Sequence, residues 1–473
     1  MSTEVVKSIL DEMDNCVSFT DKNIAIRDGD LLRSKIGRLT EISALETCMR
    51  QGMARYLTRV LALEAGILPA SIHDFYIARG NGEVPPNFAV PAINLRALSF
   101  HAARAVFRSA KKIDAAAFIF EIARSEIGYT DQRPAEYATN ILAAAISEDF
   151  KGPIFIQGDH FQISSKRYGS DPDKEISAVQ ELSKEAIKAG FFNIDIDTST
   201  LVDLDQPTVL EQQAVNSRLT ASFTRYIRDL EPRGVTISIG GEIGEVGGKN
   251  STEDELRAYM DGYISLLQEE APGMTGLSKI SIQTGTSHGG VVLPDGTIAE
   301  VSVDFDTMLT LSRIARDEYA MAGAVQHGAS TLPQEAFSKF VESEACEVHL
   351  ATGFQNMMYD RLPEDLLKEI YTYLEENHSD ERKPDMTDDQ FFYKTRKRAI
   401  GPHKSQIWAL PKKKIDEICI AWEEQFDLLF DQLNIGDTRK YVDKHVTTIP
   451  LTPSQEDYLD VTKVQEEVTD LAD

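Results

Sequence analysis

Eight short apolar stretches, rich in β-branched and aromatic residues, recur between residues 88 and 352. Longer stretches with helical spacing separate them, such as 170–190 and 251–271. Apolar strands that alternate with helices form a parallel sheet buried on both faces. Eight such repeats favour a closed (β/α)8 TIM barrel, in the α/β class, over an open sheet. The predicted strands are 88–94, 116–122, 153–159, 191–197, 235–242, 279–285, 322–328 and 346–352.

The remainder of the chain is enough for extensions on both sides of such a barrel. Its 473 residues can bury a large core. Helical spacing before the first strand predicts a helical N-terminal extension over 1–85. The barrel should then occupy 86–360, and a charged helical C-terminal extension should occupy 361–473.

Charge and cysteine usage narrow the class of function. The chain has 76 acidic and 49 basic residues and a formal charge of -27, which opposes binding to nucleic acid or anionic lipid surfaces. It contains no long apolar segment and no secretory leader pattern, so we expect no membrane span. Four scattered cysteines suggest reduced thiols and a cytoplasmic location. We therefore expect a small-molecule substrate.

Polar residues follow or end seven of the eight predicted strands. Barrel enzymes keep their chemistry at the carboxyl ends of the strands, so these side chains should converge on one mouth. One or two such placements could arise by chance, whereas seven indicate a site. The residues are Asn94, Glu121, Asp159, His160, Asp197, Glu242, His288 and His327.

Three of these residues are histidines, namely His160, His288 and His327. Three imidazoles that leave one coordination position open are typical of a catalytic zinc site. A single histidine of this kind is more often a hydrogen-bonded residue near the core. Their shared position at strand ends favours a metal site, occupied by Zn²⁺ or another divalent ion.

Carboxylates beside these histidines are candidates for proton transfer. Asp159 precedes His160 directly and could exchange a proton with a metal-bound substrate, although it could instead cap the next segment. The sequence GGEIGEVGGKNST (240–252) ends a strand and enters a glycine-rich loop that could close on substrate. Glu242 would be a ligand of the metal or lie just behind it, and Glu245 is a candidate base.

Small residues follow two of the histidines, in QTGTSHGG (283–290) and QHGASTLP (326–333). Their backbone N–H groups could form an anion-binding nest beside a helix start. Phosphate sites in barrels commonly use the loops after the last two strands. A phosphate-bearing substrate would fit.

In combination, the motifs GDHF, GEIGEVGG, GTSHG, VDFDTMLTLSRIA and QHGASTLP resemble the class II, metal-dependent fructose-bisphosphate and tagatose-bisphosphate aldolases. FAVPAIN also resembles the first strand of that family, and the likeness covers about 86–358. The resemblance implies that the three histidines hold a zinc that binds the carbonyl of dihydroxyacetone phosphate. A monovalent cation is a further expectation.

The resemblance also implies roles for the neighbouring residues. Asp159 would exchange a proton with the aldehyde oxygen. Glu242 and Asp197 would lie at the metal or at an alternative position of the metal. The following residues are expected to bind substrate or its phosphate: Asn94, Gly289, Gly328, Ala329, Ser330 and Thr352.

Several positions depart from the family pattern. Lys249 and Asn250 stand where the family often carries acidic residues, so Glu245 or Glu253 would have to supply the base. In the last strand, His349 and Ala351 stand where the family usually has asparagine and aspartate. These changes bear on the substrate more than on the metal.

The leading interpretation is a lyase that cleaves fructose 1,6-bisphosphate to dihydroxyacetone phosphate and glyceraldehyde 3-phosphate. One alternative is an aldolase or epimerase that acts on another sugar phosphate through a metal-bound enediolate. Another is a non-catalytic accessory subunit of a tagatose-type aldolase, which retention of Asp159 and the three histidines disfavours. A homodimer or homotetramer is expected from the resemblance.

The stretch YKTRKRAIGPHK (393–404) is basic in an otherwise acidic chain. A solvated helix face would explain it. Arginine is also well suited to gripping a phosphate, and a C-terminal segment can supply such a residue in this family. We therefore expect Arg396 or Arg398 to reach the barrel mouth, in the same chain or across a homo-oligomer interface.

Overall fold

The structure is a computed structural model that describes residues 2–20, 23–244, 249–285, 293 and 303–459. Within this part the strands fall into a two-stranded hairpin and a nine-stranded parallel sheet. The strands are β1 (Val17–Thr20), β2 (Asn23–Ile26), β3 (Ile67–Ala70), β4 (Val90–Asn94), β5 (Ile119–Ala123), β6 (Gly152–Gln162), β7 (Asn193–Asp197), β8 (Ser238–Glu242), β9 (Lys279–Ile282), β10 (Ala324–Gln326) and β11 (Glu347–Leu350).

Strands β4 to β11 form a closed barrel. Each pairs in parallel with the next along the chain, and β11 pairs with β4 to complete the ring. The prediction of a (β/α)8 barrel is confirmed, and every predicted strand overlaps one of these eight. Most observed strands begin two or three residues later than the sequence indicated, whereas β6 continues to Gln162 instead of ending at Asp159.

Helices separate consecutive barrel strands and surround the sheet, because a parallel connection needs a crossover. The helices before the barrel are α1 (Ser2–Glu12), α2 (Gly29–Lys35), α3 (Gly37–Leu45), α4 (Cys48–Glu64) and α5 (His73–Gly80). Those between and after the barrel strands are α6 (Ser99–Lys112), α7 (Arg124–Tyr129), α8 (Pro134–Ser147), α9 (Ser165–Ser170), α10 (Pro172–Ala189), α11 (Val209–Leu230), α12 (Glu253–Glu270), α13 (Phe305–Asp317), α14 (Phe337–Glu342), α15 (Thr352–Tyr359) and α16 (Glu364–Asn377).

The C-terminal part of the chain packs on the outside of the barrel through helix α19 (Lys412–Gln432). Its Trp422 indole donates a hydrogen bond to the carbonyl of Phe354, and Glu423 pairs with Arg108 of α6 at 2.6 Å. The domain boundaries at residues 85 and 360 stay a prediction. The helices here are α17 (Asp388–Thr395), α18 (Lys404–Trp408), α19 (Lys412–Gln432), α20 (Arg439–His445) and α21 (Glu456–Leu459).

The N-terminal region contributes a strand as well as helices. Strand β3 pairs in parallel with the first residues of β6, below the point where β7 joins the same strand. Pro69 lies within β3, which is compatible with a strand that has a partner on one side. Four residues containing a proline gave no strand signal in the sequence. The expectation of a mostly helical extension therefore missed a strand that belongs to the sheet.

The barrel interior contains a layer of buried charged and amide side chains. Lys279 of β9 lies at its centre, with its ammonium 2.9 Å from Asp195 and 2.5 Å from Glu347. The same ammonium donates to Gln157 at 2.8 Å, and Gln157 in turn donates to Glu121 at 3.1 Å. These contacts cross the barrel between side chains that are almost fully buried. The ion pairs thus offset the cost of removing the charges from water.

Gly240 of β8 makes room for this layer. A Cβ atom at this position would lie 2.3 Å from a carboxylate oxygen of Asp195 and 2.9 Å from Cε of Lys279. Both contacts are too short for a real side chain, so a larger residue would push the pair apart. The first glycine of the GGE sequence run therefore makes room for the interior ion pair.

We expect Lys279→Met to destabilise the protein by about 3–5 kcal/mol, because it leaves Asp195 and Glu347 buried without their cation. Urea unfolding at pH 7 measures the change. Adding Glu347→Gln to this variant should restore part of the loss, and Lys188→Met, at an exposed ion pair, should change little. Equal stability of Lys279→Met and the wild type would contradict this account of the interior.

Candidate active site

An extra residue in β6 brings Asp159 and His160 to the same mouth. Between Gly158 and Phe161 the pairing of β6 with β7 shifts, so that β6 has one residue more than its partner. His160 has φ 40, in the left-handed region. A Cβ atom on Gly158 would lie 2.4 Å from the Phe161 ring. The two side chains converge because of this bulge, and not because the strand ends.

Two of the three predicted metal ligands meet within the described residues. Nε2 of His160 lies 2.9 Å from Nδ1 of His327, which directly follows β10. The other ring nitrogen of His327 is 3.0 Å from the hydroxyl of Ser281. Both histidines are buried. The structure therefore brings together residues that are 167 positions apart.

Carboxylates surround His160 on its other side. Its Nδ1 is 3.2 Å from Oε2 of Glu242 and 3.3 Å from Oδ2 of Asp197, at the ends of β8 and β7. Asp197 also accepts hydrogen bonds from the backbone N–H and hydroxyl of Ser199. These contacts hold both predicted acidic residues against the histidine pair.

The pKa values reflect this crowding. Burial, aided by the charge of Asp197, raises the pKa of Glu242 to about 8. Burial opposes ionisation of Asp197 as well, but hydrogen bonds from His160 and Ser199 lower its pKa below the usual range. Burial would also lower the pKa of His160, yet Asp159 and Glu242 raise it well above its ordinary value. The surroundings therefore favour a positive charge between these groups.

The donor atoms fit a divalent metal. His160, Glu242 and His327 each offer a ligand atom, and these atoms lie within 4.8 Å of one another. Imidazole nitrogen and carboxylate oxygen are ligands that zinc accepts. Asp159, His327 and His349 form a second such group, and Glu121, Glu347 and His349 form a third. The predicted residues His288, Gly289 and Glu245 lie outside the described residues, so their roles stay predictions.

The sequence reasoning did not assign a role to His349 in the site. Its Nδ1 lies 3.3 Å from Asp159 and 2.9 Å from Glu121, and its Nε2 lies 2.7 Å from Glu347. Glu347 and His349 alternate along β11, and Asp195 and Asp197 alternate along β7. Alternate residues of a strand share one face. That period of two was the signal that could have placed the unassigned residues inside the barrel.

The predicted phosphate loop follows His327. Gly328 has φ 69, and the next residues form a short 3₁₀ helix, Ala329–Thr331. The Ser330 hydroxyl accepts a hydrogen bond of 2.6 Å from the backbone N–H of Ala351, which links the loop to the end of β11. Thr352 is buried and begins α15. The loop and the helix start thus lie side by side.

Asn94, at the end of β4, lies in a buried polar cluster. Its amide donates a hydrogen bond to the carboxylate of Glu126 in α7. Arg96 pairs with the same carboxylate at 2.7 Å and donates to Gln355 at 3.1 Å. The side chain predicted to bind substrate is therefore held by the helix that follows β5.

The basic segment packs against α7, although its arginines have local partners. The 3₁₀ helix Arg396–Ala399 contacts α7. Arg396 donates to Asn356 and lies over the Tyr393 ring, 4.7 Å from its centre. Arg398 lies 3.3 Å from the carboxylate of Glu381. The expectation that one of the arginines grips a phosphate stays a prediction.

Residues 85–417 match the family described as fructose-bisphosphate aldolase class-II, over more than two thirds of the chain. The chain belongs to this family. The aldolase is therefore a carbon–carbon lyase of a typically divalent-metal-dependent class, and its candidate metal groups lie inside the matched region. A search of curated protein sequences found no match. In the described part, no helix combines the length and apolar character needed to cross a membrane.

Two solved structures share the fold of this aldolase, and a third is also similar. A probable tagatose 6 phosphate kinase from Sinorhizobium meliloti 1021 is 16% identical, with a TM-score of 0.54 over 78% of this chain and 96% of that chain. A fructuronate-tagaturonate epimerase from Cohnella laeviribosi is 11% identical, with a TM-score of 0.52 over 73% and 82%. A fructose-bisphosphate aldolase from Campylobacter jejuni is 16% identical, with a TM-score of 0.47 over 79% and 98%.

Lys397 provides a test of the basic segment that involves no metal. Burial, followed by the charges of Arg96 and Arg398, lowers its pKa to about 7. In the unfolded chain the ammonium would keep its ordinary pKa near 10.4. Below pH 7 the folded protein therefore bears the full cost of the buried charge. As the pH rises from 7 to 10 this cost declines, because the native state has lost a proton that the unfolded state keeps.

We expect Lys397→Met to be more stable than the wild type at pH 6. The advantage should shrink by at most about 1.4 kcal/mol per pH unit between pH 7 and 10. Urea unfolding at several pH values measures the difference, with exposed Lys188→Met as the control. A difference that is constant from pH 6 to 10 would contradict the lowered pKa.

Proposed function

We propose that this aldolase cleaves and forms the carbon–carbon bond of a ketose bisphosphate. Fructose 1,6-bisphosphate is the first substrate to test, with dihydroxyacetone phosphate and glyceraldehyde 3-phosphate as its products. The observation that carries the proposal is the convergence of His160 and His327 beside Asp159 at the barrel mouth. Family membership supplies the reaction class, and the substrate is part of the proposal.

We assign His160 and His327 to a catalytic metal, together with His288 from outside the described residues. Glu242 and Asp197 would stand beside it as ligands or as partners of the histidines. Zinc is the proposed ion, because imidazole-rich sites with an open position suit it. When bound, such an ion supplies Lewis-acid polarisation of a substrate carbonyl. A monovalent cation near the phosphate remains part of the proposal.

Asp159 is the proposed proton carrier at the aldehyde oxygen. During cleavage its carboxylate would accept the proton of the hydroxyl group that becomes the aldehyde. During condensation it would return that proton to the same oxygen. Its Oδ1 lies 3.9 Å from Nε2 of His160 and 4.0 Å from Nδ1 of His327, so a substrate held at the histidines would be within its reach.

A second proton transfer takes place at the carbon next to the substrate carbonyl, and Glu245 is the proposed base for it. Asn250, at a position where the family often has an acid, donates a hydrogen bond of 3.0 Å to Asp304. Glu253 begins α12 and pairs with Arg257 at 3.0 Å. Asn250 and Glu253 are thus both paired with other residues, which favours Glu245 over Glu253 as the base.

The phosphate of the ketone half is proposed to bind the backbone of Gly328, Ala329 and Ser330, and that of Gly289. Asn94 and Thr352 would complete the substrate contacts, and Arg396 or Arg398 would bind the far phosphate. A homodimer or homotetramer and a cytoplasmic location complete the proposal. Free thiols at all four cysteines are compatible with that location.

Another sugar phosphate is the second candidate substrate. His349 and Ala351 replace the asparagine and aspartate that are usual in the family, so the contacts to the substrate differ there. An epimerase that uses the same proton transfers is included in this alternative. A panel of ketose bisphosphates and monophosphates, followed for both cleavage and epimerisation, separates these candidates.

Removal of the metal should abolish turnover. We expect chelator-treated protein to lose activity and recover it when zinc is restored, and His327→Ala to lose both bound metal and activity. Elemental analysis and a coupled cleavage assay measure the two properties, with buried His73→Asn as the control outside the site. Full turnover by metal-free wild-type protein would refute the assignment.

Replacement of Asp159 should separate metal binding from catalysis. We expect Asp159→Asn to retain its metal while cleavage falls by about 10²–10⁴-fold, which is the usual contribution of a positioned proton carrier. Metal content and kcat are measured on the same preparation. If the variant loses metal but keeps its rate per bound metal, Asp159 orients the ligands instead.

A further inference from the structure

We propose that His349 is a positioning residue that holds the Asp159 carboxylate in place for its proton transfer. The inference deepens the proposed function and rests on it. It assigns a role to a histidine that stands where the family usually has asparagine.

The His349 ring lies beside the carboxylate of Asp159. Its Nδ1 is 3.3 Å from Oδ1 of Asp159, whereas the nitrogens of His160 and His327 are 3.9 and 4.0 Å from that oxygen. The ring also packs against that of His327, with centres 3.9 Å apart and planes tilted by 43°. Of these three imidazoles, His349 is the closest to the carboxylate.

Carboxyl groups flank the His349 ring on both sides. Glu121 lies 2.9 Å from Nδ1, and Glu347 lies 2.7 Å from Nε2. All these side chains are buried. A ring with a carboxyl group close to each nitrogen is restricted in its rotation about the Cβ bond. Asp159 therefore meets a partner of defined position instead of a mobile one.

Glu347 is itself held by the layer of buried charged and amide side chains in the barrel interior. It accepts hydrogen bonds from Lys279 at 2.5 Å, from Gln157 at 2.9 Å and from the hydroxyl of Tyr76. Tyr76 belongs to α5, outside the barrel strands. A continuous set of contacts thus runs from the N-terminal region through Lys279, Glu347 and His349 to Asp159.

The placement of His349 implies that it affects only one of the two proton transfers, which can be measured. Asp159 is proposed to act at the aldehyde oxygen, and a loop base at the carbon next to the ketone. A residue that acts through Asp159 should affect the first proton transfer and leave the second unchanged. A residue needed for folding or for the metal would affect both.

The experiment compares wild type, His349→Asn, Asp159→Asn and the double variant. Cleavage of fructose 1,6-bisphosphate reports the whole reaction. Exchange of solvent hydrogen into dihydroxyacetone phosphate, without an aldehyde, reports the step that does not need Asp159. Bound metal is measured by elemental analysis, and His73→Asn provides a buried histidine outside the site as the control.

We expect His349→Asn to keep its metal, its KM and its exchange rate, while kcat for cleavage falls about 10–100-fold. In the Asp159→Asn background the same change should cost little more, because the two residues act together. Should His349→Asn prove poorly folded by circular dichroism, His349→Gln takes its place with the same expectations.

The inference is overturned if exchange falls in parallel with cleavage, or if the losses of the two single variants multiply in the double variant. Loss of a metal ion in His349→Asn would also overturn it and would make His349 a ligand. If wild type neither exchanges dihydroxyacetone phosphate nor cleaves any ketose in the panel, the proposed function fails and the inference fails with it.

Discussion

The ammonium of Lys279 is the charge on which the barrel interior depends. It stands between Asp195 and Glu347, and these side chains connect through Gln157 and His349 to the groups at the mouth. Most barrels fill this space with branched apolar residues. Here a charged layer replaces part of that packing, so contacts link the carboxylate of Asp159, the proposed proton carrier, to the ion pairs of the core.

The second structural constraint is the bulge in β6. A regular strand would direct Asp159 and His160 to opposite faces, since successive side chains alternate. The extra residue and the left-handed backbone of His160 bring both side chains to the barrel mouth, beside His327. Gly158 is required there because the Phe161 ring occupies the space of a side chain. The site therefore depends on a local irregularity within one of the longest strands of the barrel.

The sequence predicted the barrel because apolar runs and helical spacing are local patterns, and all eight strands lie where they were expected. It also predicted that His160, His327, Glu242 and Asp197 converge, because strand ends in a barrel share one mouth. It did not predict Lys279 as the centre of an ion network, because one lysine at the start of a strand carries no signal of its partners.

Strand boundaries and bulges were also beyond the sequence argument. They depend on pairing with neighbouring strands, which a single run does not reveal. The strand β3 was missed for the same reason, since a four-residue segment containing Pro69 is defined by its partner β6 and not by its own composition.

That short strand changes how the N-terminal region relates to the barrel. Strand β7 pairs with β6 only from Gln157 onward. On the same side of β6, the preceding residues Gly152–Phe155 pair with β3 instead. Without β3, backbone N–H and C=O groups of β6 would form an open edge of the kind that recruits strands from other molecules. The N-terminal region thus covers this edge of β6, and a barrel cut from the chain at residue 85 would leave it open.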